Sequence, residues 1–113
     1  MADDCLFCRI VRGEIPAKLV FEDEHCIAFR DINPQAPTHV LVVPREHVES
    51  LDRTRDSVLV GRLQLAAAEI ARQENVAEAG YRTVINTNRA AGQTVFHLHV
   101  HLLGGRPLEW PPG

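Results

Sequence analysis

Apolar and polar positions change period several times along the chain, and each change marks an element. Over Cys5–Arg12 the apolar residues Leu6, Phe7, Ile10 and Val11 recur at helical spacing. This predicts one or two helical turns, ended by Gly13 and Pro16. Leu19–Glu22 and Cys26–Asp31 read as short strands, with Asp23-Glu24 as the turn of a hairpin. The two prolines of Asn33-Pro34-Gln35-Ala36-Pro37 predict a loop. Thr38–Val43 is a strand closed by Pro44. Its run Val40-Leu41-Val42-Val43 is apolar on both faces, as in a central strand covered on both sides. Ser57–Asn75 carries Leu59, Leu63, Ala66, Ala67 and Ile70 at helical spacing, with Asp56 or Ser57 as its cap. Gly61 inside this helix costs about 1 kcal/mol relative to alanine, so it is expected to mark a close packing point. Tyr81–Asn86 reads as a strand, Thr87–Gln93 as a polar loop, and Thr94–Leu103 as the last strand. Strands outnumber helices and the hairpin favours antiparallel pairing. The expected class is α+β, with one sheet covered by the long helix.

The last strand carries the chemistry. In Phe96-His97-Leu98-His99-Val100-His101-Leu102, alternate side chains point to opposite faces. Phe96, Leu98, Val100 and Leu102 are expected to pack on the core, leaving His97, His99 and His101 together on the other face. Such a row can serve as a neutral imidazole nucleophile, as a chelate for zinc, or as a passive ligand site. Gly92-Gln93-Thr94 leads directly into it. A glycine for close approach, an amide and a hydroxyl make a cradle for phosphate beside a nucleophile.

Composition narrows the setting. The chain has 113 residues, which points to one domain over 1–113, and a net charge of −3 with both signs interspersed. No basic face is visible, so nucleic acid is not expected as a ligand. The apolar runs are too short to span a bilayer, and the Met1-Ala2-Asp3-Asp4 start has neither a basic nor an apolar leader region. A cytoplasmic protein without a disulfide framework is expected, with Cys26 as a buried small hydrophobe. The tail Pro107–Gly113 holds three prolines and the only tryptophan, Trp110, which is expected to dock on this chain or on a neighbour.

These residues resemble the histidine triad family, whose signature of histidines alternating with apolar residues is matched throughout His97–Leu103. Gly13–Lys18, Asp31–His39, Gly92-Gln93, Leu103–Arg106 and Trp110–Gly113 extend the resemblance to its nucleotide-binding branch. The resemblance implies a five-stranded antiparallel sheet, a long helix and a short N-terminal helix, with two copies joining into a ten-stranded homodimer. It implies hydrolysis of purine nucleoside phosphoramidates through a covalent nucleotidyl-histidine. In that scheme His99 attacks the phosphorus and His97 helps to orient it. His101 holds the phosphate with the backbone of Gln93 and Thr94, and His39 stands behind as a further hydrogen-bond partner. Asp31 takes the ribose hydroxyls, and Phe7, Ile10, Phe29, Ile32 and Leu41 line the base pocket. Asn86, Gly92 and Thr94 reach the phosphate end, and Trp110 comes from the partner. The chain departs from the pattern with Thr94 in place of a serine and with one glycine fewer in Asn88–Ala91.

Cys5-Leu6-Phe7-Cys8 also departs from the animal branch. Its spacing suits zinc, but two ligands do not make a site. Microbial members of the family and the related uridylyltransferases use two histidines in addition. By that resemblance Cys5, Cys8, His47 and His97 would hold a structural zinc. Three rival readings are a dinucleoside polyphosphate hydrolase or nucleotidyl transferase, a regulatory nucleotide binder, and a zinc hydrolase using all three alternating histidines.

Overall fold

The computed structural model describes residues 4–113. Met1, Ala2 and Asp3, on which the reading of the leader partly rests, lie outside the described residues. The elements are α1 (Leu6–Val11), β1 (Leu19–Glu22), β2 (Cys26–Arg30), β3 (Thr38–Pro44), α2 (Ser57–Gln73), β4 (Tyr81–Val84) and β5 (Val100–Gly104), with single turns of 3-10 helix at Leu51–Arg53 and Arg89–Ala91. The strands form one antiparallel sheet in the order β1-β2-β3-β5-β4. The class is α+β, as expected from the pattern.

β3 is buried along its whole length because both faces of the sheet are covered. On one face Val40 and Val42 pack with Leu98, Val100 and Leu102 against Leu63, Ala66, Ala67 and Ile70 of α2. Leu63 is fully buried there, a contribution of roughly 2 kcal/mol for one such side chain. On the other face Leu41 and Val43 join Ile27, Phe29 and Phe7, under α1. Asp56 caps α2 by accepting the Leu59 N–H at 3.0 Å. The helix stops two residues before the expected end, where Asn75 turns into the left-handed region at φ 61°. Gly61 is no packing point, since a Cβ there would meet nothing within 4 Å.

β5 starts at Val100 rather than Thr94, and this is the main difference from the pattern. The ladder pairs Val42 with Val100, so the next turn of pairing reaches Pro44. Proline has no N–H to donate, and the Pro44 carbonyl accepts instead from the His97 ring at 2.8 Å. Residues 94–99 therefore run as irregular chain, and Phe96, expected in the core, is 43% exposed. β4 likewise ends at Val84, where its pairing with His101 ends. No described helix is long and apolar enough to cross a membrane.

Candidate active site

The three alternating histidines lie on the α1 face of the sheet. Phe7 meets two of them edge-on, His99 at a ring-centre distance of 5.1 Å and His97 at 6.0 Å. His99 and His101 are 5.0 Å apart, centre to centre. Neutral imidazole has one N–H and one lone pair, so the partner of one nitrogen decides the state of the other. For each histidine of the row that partner is different.

His97 donates from Nε2 to the Pro44 carbonyl at 2.8 Å, so its Nδ1 carries the lone pair. That Nδ1 is 3.4 Å from Cys5 Sγ, 3.4 Å from Cys8 Sγ and 3.3 Å from His47 Nδ1. Cys8 Sγ lies 3.2 Å from His47 Nδ1, and all four ligand atoms fall within 4.8 Å of one another. Zinc–ligand lengths of 2.0–2.3 Å give tetrahedral edges of about 3.3–3.8 Å. Two thiols, two imidazoles and a lone pair aimed inward fit a tetrahedral metal. α1 places the thiols, since its cap Cys5 accepts the Cys8 N–H through Sγ. Burial, reinforced by Cys5, pushes the Cys8 thiol up to about 11. A cation would reverse that preference and release the proton.

His99 donates from Nδ1 to the His97 carbonyl at 2.7 Å, which leaves the lone pair on Nε2. The residue is buried, and burial holds its pKa below the ordinary histidine range. A neutral, oriented imidazole with a bare Nε2 is a nucleophile. The backbone of His97, rather than its ring, orients His99.

His101 is read from the far side. The Gln35 N–H donates to His39 Nδ1 at 3.0 Å, so the proton of neutral His39 sits on Nε2. From there it reaches His101 Nδ1 at 2.9 Å, and Asp31 Oδ2 stands 3.4 Å from His39 Nε2. His101 must then carry its own proton on Nε2, as a donor. Burial lowers His39 and pushes His101 down to about 4, with His99 and His39 adding to the effect on His101. Asp31, His39 and His101 also cluster closely enough to suggest a metal. Because the His39 Nε2 proton occupies the centre of that group, it reads as a hydrogen-bonded relay. No group of ligand atoms joins His97, His99 and His101 among the described residues.

The cradle differs from expectation. The Gln93 side chain is buried, accepting from the Asn88 N–H at 2.8 Å and donating to the carbonyls of Glu49 (2.8 Å) and Val95 (3.2 Å). Its own N–H goes to the Asn88 carbonyl at 3.1 Å and that of Gly92 to Arg89 at 2.9 Å. Buried amides must be satisfied, so Gln93 braces the loop rather than facing a phosphate. Thr94 is exposed beside it, and Asn86 is half-buried. Asp31 also accepts the Asn33 N–H at 2.8 Å, which leaves its other oxygen toward His39. Phe7, Phe29 and Leu41 are buried together with Ile10 against them, whereas Ile32 is wholly exposed. Trp110 does not dock on its own chain, being 81% exposed. Pro44 and Gln35 contribute only backbone groups, so no side-chain pattern could have revealed them.

The family model for the HIT domain matches residues 12–108. The purine nucleoside phosphoramidase of Escherichia coli K12 is 48% identical over 110 residues, covering 96% of this chain and 92% of that one. An uncharacterized HIT-like protein of Synechococcus elongatus is 55% identical over 115 aligned positions, covering 100% of both chains. Among solved structures, a HIT family hydrolase from Legionella pneumophila superposes with a TM-score of 0.94 at 50% identity, covering 96% and 99% of the two chains.

Proposed function

This chain belongs to the HIT domain family, and from that premise we propose that it hydrolyses purine nucleoside phosphoramidates to the nucleoside monophosphate and an amine. The observation that carries the reading is the bare Nε2 of His99, held by the His97 carbonyl next to the donor tautomer of His101. The relative named a purine nucleoside phosphoramidase supports the substrate class.

The His99 Nε2 lone pair attacks the α-phosphorus. The P–N bond breaks as the leaving nitrogen takes a proton from solvent, and a nucleotidyl-histidine remains. Water then attacks the phosphorus, the bond from phosphorus to His99 Nε2 breaks, the attacking water gives up one proton to solvent, and neutral His99 is restored with the monophosphate. His101 Nε2–H and Thr94 stabilise the charge that gathers on the phosphate oxygens, the term that usually dominates such catalysis. Asn86 and Gly92 border that end. The Asp31 carboxylate, whose oxygens can each accept a second hydrogen bond, takes a ribose hydroxyl, and Ile32, Phe7, Ile10, Phe29 and Leu41 shape the base side. Cys5, Cys8, His47 and His97 would hold a metal, by donor type zinc, which would supply a structural cross-link between α1 and the residues before β5. Trp110 serves the site of a second copy in a homodimer.

The test is hydrolysis of adenosine 5′-phosphoramidate by wild type and His99→Ala, with acid-quenched samples searched for a nucleotidyl adduct. The substitution should lower kcat by about a thousandfold or more, the scale for losing a covalent nucleophile, and abolish the adduct. A wild type that binds AMP without hydrolysing the phosphoramidate would shift the reading to dinucleoside polyphosphates, nucleotidyl transfer or binding alone.

A further inference from the structure

The loop between β2 and β3 is clamped by the residues that follow β5, and the clamp reaches His101. Gly105, in the left-handed region at φ 92°, lies so close to Pro37 that an added Cβ would stand 2.9 Å from the proline Cβ. One residue on, Arg106 donates from Nε to the Gln35 carbonyl at 3.0 Å and from Nη1 to the Pro107 carbonyl at 2.9 Å. Gln35 is thus gripped at its carbonyl by Arg106, while its N–H holds His39 Nδ1. Within the loop, Gln35 Nε2 donates to the Asn33 carbonyl at 3.0 Å. A continuous chain of hydrogen bonds runs from Arg106 through Gln35 and His39 to His101.

We propose that Arg106 is a positioning residue for His101. By fixing Gln35 it keeps a donor on His39 Nδ1, which forces the His39 proton to Nε2 and the His101 proton to Nε2 in turn. If Gln35 swings away, His39 is free to carry its proton on Nδ1. Its Nε2 then offers a lone pair, which draws the His101 proton to Nδ1 and removes the Nε2–H donor. Arg106 also starts the tail that carries Trp110, so the placement of the tail and the tautomer of His101 are linked. The effect on turnover rests on the proposed reaction; the tautomers do not.

Long-range proton–nitrogen spectra of the imidazoles test this, recorded near neutral pH on wild type, Arg106→Ala and Arg106→Lys. Wild type should show His39 and His101 as Nε2–H tautomers. Arg106→Ala should move both toward tautomer-averaged positions and lower kcat for the phosphoramidate about fivefold with KM unchanged, the size of one net hydrogen bond. Arg106→Lys, which can still donate to Gln35, should restore most of both. Unchanged imidazole signals in Arg106→Ala would overturn the proposal even if the melting temperature falls. Shifted signals with unchanged kcat would overturn the part concerning turnover. A wild type inert toward the phosphoramidate would sink the reaction instead, and the spectra would still decide the tautomers.

Discussion

Three histidines of identical chemistry acquire different tasks from the partner of a single nitrogen. The Pro44 carbonyl turns the His97 lone pair toward the thiols. The His97 carbonyl leaves His99 with a bare Nε2, and His39 leaves His101 with a donor. The same burial that keeps these rings neutral makes the fold sensitive to acid. His101 is pushed down to about 4 and His39 is also lowered, both first by burial. Their unfolded counterparts titrate near 6.5. Between those values the unfolded chain binds more protons than the folded one, so stability rises with pH. The contribution is complete above about pH 6.5 and is lost progressively toward pH 4. The melting temperature should therefore fall from pH 7 to pH 5, and His101→Gln should flatten that slope. An unchanged slope would mean that His101 is not held neutral by the fold.

At the scale of elements, α1 is too short to persist alone. It is held by Phe7 and Cys8 inside the fold and by the sulfur–nitrogen cluster that reaches across to His97. Structural zinc contributes folding free energy directly. Cys8→Ser should abolish bound zinc, measured by elemental analysis, and lower the melting temperature. It should also reduce turnover, because His97 braces His99 through its carbonyl. A Cys8→Ser protein of unchanged stability and zinc content would remove the metal from this reading. At the other end of the fold, the Arg30–Glu74 pair, at 2.9 and 3.0 Å, ties β2 to the end of α2.

At the scale of the whole molecule, the sheet order brings together what the chain keeps apart. β3 and β5 are neighbours, so Leu41 pairs with His101 and His39 with Leu103, although His39 and His101 are 62 positions apart. The order also leaves β1 and β4 at the two edges of the sheet, and an edge strand can pair with a strand of another copy. An open sheet edge and the exposed Trp110 fit the proposed homodimer. Sedimentation should give a dimer. Trp110→Ala should leave it dimeric while altering the discrimination between amine leaving groups, measured as kcat/KM across a phosphoramidate series. A monomer that is fully active would refute the shared site.

The elements and the class were legible because burial imposes a period. Apolar residues at helical spacing mark α2, and a doubly apolar run marks β3. Alternation likewise places the histidines opposite Leu98, Val100 and Leu102, and the cysteine spacing belongs to the same local grammar. What the sequence could not show is where alternation ceases to be a strand. Only the pairing register brings Pro44 to the point where the β3–β5 ladder stops, and Phe96 falls outside the core as a result. Nor could it show that Gln93 is consumed by its own loop, or that Gln35 and Pro44 act through backbone atoms. Those assignments depend on hydrogen bonds to backbone groups, which every residue carries and no side-chain pattern marks. Side-chain pattern determines which groups are available; the tertiary structure decides which nitrogen is left with a lone pair.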